Sequence, residues 1–83
     1  MVSVFGSRSM AKLPQLTGAE VVRRLKRLEM EVDHTRGSHI YLRNPATMAM
    51  AAVPCHGSKT VKTGTLHGIL KQLGVPLEQF LGA

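Results

Sequence analysis

Residues 36–45 read RGSHIYLRNP, and the period within this stretch decides the fold. From Ser38 to Arg43 polar and apolar residues alternate. Ile40 and Leu42 fall on one side and His39, Tyr41 and Arg43 on the other, the two-residue period of a strand with one buried face. Arg36-Gly37 before it is a turn, and Asn44-Pro45-Ala46-Thr47 after it reverses the chain. A strand held between two turns calls for antiparallel neighbours. Glu31 to Thr35, with β-branched Val32 and Thr35, supplies one. Met48 to Val53 supplies the other, although methionine and alanine are weak strand formers, and Pro54 ends it.

On either side the period changes to that of a helix. In LTGAEVVRRLKRLEM, residues 16–30, Thr17 and Glu20 have the spacing of a capping box, and Leu16 stands where a hydrophobic staple would. Val21, Val22, Leu25 and Leu28 then share one face and Arg23, Arg24, Lys26 and Arg27 the other. After the basic, irregular segment PCHGSKTVKTG, TGTLHGILKQLG repeats this logic over residues 63–74. Thr63 or Thr65 is the expected N-cap, Leu66, Ile69, Leu70 and Leu73 the buried stripe, and Gly74 the stop. Pro76 opens a short last helix to Leu81, whose Leu77, Phe80 and Leu81 dock on the core.

The expected fold class is therefore α+β, in the order α-β-β-β-α. A three-stranded antiparallel sheet carries the helices on one face, with a short C-terminal helix, and the other face is left open to water. His39, Tyr41 and Arg43 belong to that open face. Residues 1–13 show no apolar period and are read as a flexible arm, a tag remnant or an extension; residues 14–83 form the domain.

Bulk properties narrow the function. A chain of 83 residues is near the size at which one core just suffices, so a partner or oligomer is plausible. Its single cysteine, Cys55, rules out an internal disulfide. No signal-peptide pattern is visible, and no apolar run is long enough for a bilayer, so a cytoplasmic, soluble protein without membrane association is expected. Eleven Lys and Arg against five Asp and Glu give a net charge of +6 and a pI of about 10.3. That excess points to a polyanion such as nucleic acid, with a solvated basic surface or an acidic protein partner as the alternatives.

The residues able to do chemistry are few. No carboxylate cluster is present to hold magnesium. His34, His39, Cys55 and His56 are zinc-ligand types, but their spacing fits no closed zinc pattern, so no metal and no cofactor is expected. RNA cleavage needs less: a group that takes the proton of the ribose 2′-OH, one that protonates the departing 5′-oxygen, and cations beside the phosphorane. An imidazole titrating near neutrality serves either proton transfer, and His39, between Arg36 and an open sheet face, is suited to it. Taken alone, one strand histidine is an ordinary surface residue. Gly37 reads both as the glycine of a tight turn and as a site where an RNA backbone approaches closely.

Four motifs in order, LTGAEVVRRLKRL, RGSHIYLRNP, VPCHG and VKTGTLHGILKQLGVPLEQFL, make Leu16 to Leu81 resemble the HicA toxins of type II toxin–antitoxin modules. The most specific elements are Gly37-Ser38-His39, Val53-Pro54 with His56, and Gly64-Thr65-Leu66. The resemblance implies a fold like the double-stranded-RNA-binding domain and a metal-independent endoribonuclease acting on mRNA. It also implies a catalytic histidine at His39, supported by Gly37, Ser38 and His56, and a HicB-like antitoxin partner. Family members often have glycine and an aromatic at the end of the first helix. Here Glu29-Met30 stands there, so a different helix exit is expected. Ile40 likewise replaces the bulky or histidine residue often found after Gly-Ser-His.

The RNA footprint follows the charges. Lys59 and Lys62 precede the second long helix, whose N-terminus with Thr63 and Thr65 makes a phosphate seat, or else a routine cap. Arg36 and Arg43 bracket the histidine strand, and Tyr41 is the exposed aromatic available to stack on a base, or a plain sheet residue. His34 reads as a solvated strand residue. The rival functions are a non-catalytic RNA-binding module on the same fold and a protein-interaction component.

Overall fold

The computed structural model describes residues 14–83; the arm expected over residues 1–13 lies outside the described residues. Helix α1 (Gly18–Arg27) starts with the capping box read from the sequence. The Thr17 hydroxyl accepts from the Glu20 N–H at 3.2 Å while the Glu20 carboxylate accepts from the Thr17 N–H at 2.8 Å. Two of the helix's orphan donors are thereby satisfied. Val21, Val22 and Leu25 turn inward.

The exit of α1 is a finding. The Met30 N–H reaches back to the Leu25 carbonyl and the Glu29 N–H to that of Lys26, both at 3.0 Å, the paired bonds of a Schellman turn. This turn needs a left-handed residue, and Glu29 provides it at φ 73°. The exit anticipated to differ keeps the turn a glycine usually makes, with a side chain in the place of none. Helix α2 (Thr63–Leu73) ends the same way, with Gly74 at φ 73°.

Strands β1 (Glu31–Arg36), β2 (His39–Arg43) and β3 (Met50–Pro54) form one antiparallel sheet in that order. The two-residue loop Gly37-Ser38 joins β1 to β2, its glycine at φ 58° as a hairpin matching the sheet's twist demands. Ile40 pairs with Val53 and Leu42 with Ala51 on the inner face; His39 pairs with Pro54, Tyr41 with Ala52 and Arg43 with Met50 on the outer. The third strand begins at Met50, not at Met48. Asn44 organises a longer reversal, in which its N–H donates to the Ala49 carbonyl at 2.8 Å, and Met48 is left at φ 67°.

β1 carries one residue more than its ladder uses. Val32 faces Leu42 and His34 faces Tyr41, so Asp33 is unpaired in a β-bulge. A bulge lets two neighbours along the strand project to the same side. Asp33 and His34 both meet groups of the outer face, where their side chains bond each other.

One core lies between the inner sheet face and the helices: Leu42, Ala51 and Val53 of the sheet, Val21 and Leu25 of α1, Leu66, Ile69, Leu70 and Leu73 of α2. The short helix α3 (Leu77–Leu81) closes it with fully buried Phe80. Arg24, on the nominally solvated side of α1, donates to the carbonyl of Leu81 at 3.2 Å and lies 5.6 Å from the Phe80 ring centre. The expected threonine cap on α2 is not formed. Lys62 is the N-cap, and no side chain closes the first turn.

Candidate active site

Two loops bring the histidines together. His39 follows the Gly37-Ser38 hairpin, and His56 lies two residues past the end of β3 at Pro54. The Cys55 N–H donates to the Ser38 carbonyl at 2.7 Å, extending the β2–β3 ladder by one bond past the His39–Pro54 pair. With the residues before them fastened, the His39 and His56 rings stand 5.9 Å apart between centres and edge-on, at 88°. Both side chains are exposed. Behind this corner the start of α1 is packed so closely that a Cβ on Gly18 would meet the Pro54 carbonyl oxygen and, at 2.7 Å, the Cys55 sulfur. Cys55 is a half-buried packing residue whose burial pushes its thiol pKa up.

From His56 the chain turns through Gly57-Ser58, the Lys59 N–H donating to the His56 carbonyl at 3.1 Å. The loop is pinned from below by Val61, whose N–H bonds the Leu16 carbonyl at 2.7 Å. His56, Lys59, Thr60, Lys62 and Thr65 line a cavity of about 350 Å³ beside the imidazole pair. The expected phosphate seat and the two histidines thus share one region. Thr63, the first residue of α2, is exposed and outside that cavity.

Arg36 pairs directly with His39 across the β1–β2 hairpin and is exposed. Further along the outer face the charges are already matched. Arg43 donates to Asp33 and to Glu31, each at 2.7 Å, and these bonds raise its pKa, Glu31 contributing most. As an RNA contact read from the sequence, Arg43 is therefore set apart from Arg36: its guanidinium is committed to β1. The hydrogen bond from His34, assisted by Arg43, holds the Asp33 carboxyl below its usual range. His34 is not a free strand residue. Its ring stacks on Tyr41 at 4.4 Å and 10° while Nδ1 lies 2.6 Å from Asp33. The bulge sets the Asp33 carboxylate beside the stacked ring, and no local pattern announces it.

Among the described residues, no three His, Cys, Asp or Glu side chains gather as a metal site, and no helix is long and apolar enough to cross a membrane. The class this defines is a small basic α+β domain with two exposed imidazoles beside a lysine-lined cavity. The model of the family described as the HicA toxin of bacterial toxin–antitoxin systems matches residues 18–75. The chain belongs to the HicA toxin family, and such a toxin is one half of a module whose other half is an antitoxin. No curated protein matches the chain.

Proposed function

We propose that this toxin is a metal-independent endoribonuclease acting on mRNA, with His39 as general acid or base. The observation that carries the reading is the His39–His56 pair, 5.9 Å apart, beside a cavity lined by Lys59, Lys62 and Thr65. A phosphodiester seated there meets the lysine charges and the free N–H groups at the start of α2. The adjacent 2′-OH attacks its own phosphorus; its proton leaves to a base, and the departing 5′-oxygen takes a proton from an acid. The products are a 2′,3′-cyclic phosphate and a 5′-hydroxyl. His39 carries one of these transfers, worth about 10²–10⁴-fold in rate. His56 contacts the phosphate or carries the second proton. Gly37, with no side chain, lets the RNA backbone come close to His39, and Ser38 fixes the loop through its carbonyl. A HicB-like antitoxin silences the toxin by covering this region, in the cytoplasm where the message is.

The test is cleavage of purified RNA in EDTA by the wild type and by His39→Ala. Cleavage by the wild type with cyclic-phosphate ends, and its loss in the variant, supports the reading. Equal cleavage by both removes His39 from the chemistry. Salt-sensitive binding without products would make the chain an RNA-binding module.

A further inference from the structure

The stacked His34 and Tyr41 rings do more than pair two strands. They line a second, open cavity of about 540 Å³ on the outer sheet face, together with Arg36, Met50, Ala52 and Gln72. Tyr41 has Ala52 as its β3 partner, the smallest side chain that keeps the strand, so the space beside the phenol is not filled from that side. Asp33 fixes the imidazole through Nδ1 and is itself held by Arg43. A parallel, pre-ordered aromatic pair costs little further entropy when something lies against it. Tyr41 stands two residues from His39 on the same face of β2, about 7 Å along the strand, close to one nucleotide's reach. Arg36 belongs to both neighbourhoods, opposite His39 and lining this cavity.

We propose that the His34–Tyr41 stack is a nucleobase subsite. One unpaired base of a single-stranded RNA extends the stack, with Arg36 on its phosphate and the Gln72 amide within reach of its polar edge. The inference rests on RNA being the substrate and names residues that choose which nucleotide lies beside the cut. It gives the bulge at Asp33 a purpose, since without that extra residue the imidazole has no anchor.

Tyr41 is the only tyrosine in a chain without tryptophan, so its emission reports the subsite directly. The full chain is titrated with a 2′-O-methyl oligonucleotide, which has no free 2′-OH to attack and cannot be cleaved, and with an abasic oligomer of equal length and charge. The expected result is quenching of Tyr41 emission by the base-bearing strand and not by the abasic one. Affinity for the base-bearing strand should fall roughly 5- to 100-fold in Tyr41→Leu and in His34→Ala. Tyr41→Phe should restore it, and abasic binding should be the same in all variants. If the stack serves only the sheet, the substitutions lower the thermal midpoint while quenching and affinity ratios stay flat, which overturns the subsite but leaves the nuclease reading standing on its cleavage assay. Failure of the wild type to bind either strand overturns both.

Discussion

The backbone N–H of Cys55 bonds the carbonyl of Ser38 at 2.7 Å, tying together the residues that precede His56 and His39. One main-chain bond thus ties the two residues that precede the imidazoles, and it asks only for a backbone N–H at residue 55 and a carbonyl at residue 38. Substitutions there that keep the backbone are expected to be mild. Cys55→Ser should leave RNA cleavage within about threefold, whereas Cys55→Pro, which deletes the donor, should abolish it at unchanged protein concentration in the same gel assay.

Gly18→Ala sets two effects against each other. Alanine is the better helix former by about 1 kcal/mol, but its Cβ would strike the Pro54 carbonyl and lie 2.7 Å from Cys55 Sγ. Backbone cannot yield as a flexible side-chain end does, and overpacking costs typically about 1–3 kcal/mol. The clash wins: thermal denaturation should show a net loss, and cleavage should drop with it because the corner bearing His56 must shift.

At Glu29 the sign reverses. A left-handed residue with a side chain costs about 1–2 kcal/mol, and glycine gives back part of that through its looser unfolded chain. Because Glu29 is exposed and only its backbone makes the turn, Glu29→Gly should raise stability by about 0.5–1 kcal/mol, read as a higher urea midpoint with unchanged slope.

Lys59 and Lys62 should act as phosphate charges. Removing either is expected to weaken binding of every single-stranded sequence alike and to reduce the slope of log affinity against log salt by about 0.7. A sequence-selective loss would instead mean that the lysine reads bases.

Acid should loosen the domain at two known places. The Thr17 N–H holds the Glu20 carboxyl below its usual range, and His34, with Arg43, does the same for Asp33. A depressed native pKa adds stability that is complete above the unfolded carboxylate's pKa and is lost as pH falls through the native one. Between about pH 5 and pH 3, around the ordinary carboxylate values, the thermal midpoint of the wild type should fall more than that of Glu20→Gln/Asp33→Asn. Parallel curves would contradict it.

Much of this structure is written locally. Thr17 and Glu20 announce the start of α1 within four residues, and the alternation from Ser38 to Arg43 fixes which face of β2 is wet. Phe80 was readable as a docking residue although it lies past the family match, which ends at Val75; fully buried, it should cost about 3–5 kcal/mol as alanine. What escaped the reading depends on partners distant in sequence or on backbone angles. The threonines near α2 looked like caps, but Lys62 already occupies that position and Thr63 is helical. Arg43 looked free because Glu31 and Asp33 reach it only once β1 lies beside β2. Met48 read as strand because a methionine carries none of the usual signs of a positive φ, yet in the reversal that Asn44 closes it stands at 67°.

The bulge in β1 has a genetic meaning. Asp33 is supernumerary to a ladder in which Val32 already faces Leu42 and His34 already faces Tyr41. An in-frame loss of its codon therefore leaves every β1–β2 partner aligned, whereas deletion of Val32 or His34 would leave Asp33 to fill the vacated place. At this one position a deletion is the gentler lesion for the sheet, and it strips the carboxylate from between Arg43 and His34 while sparing the scaffold that carried it.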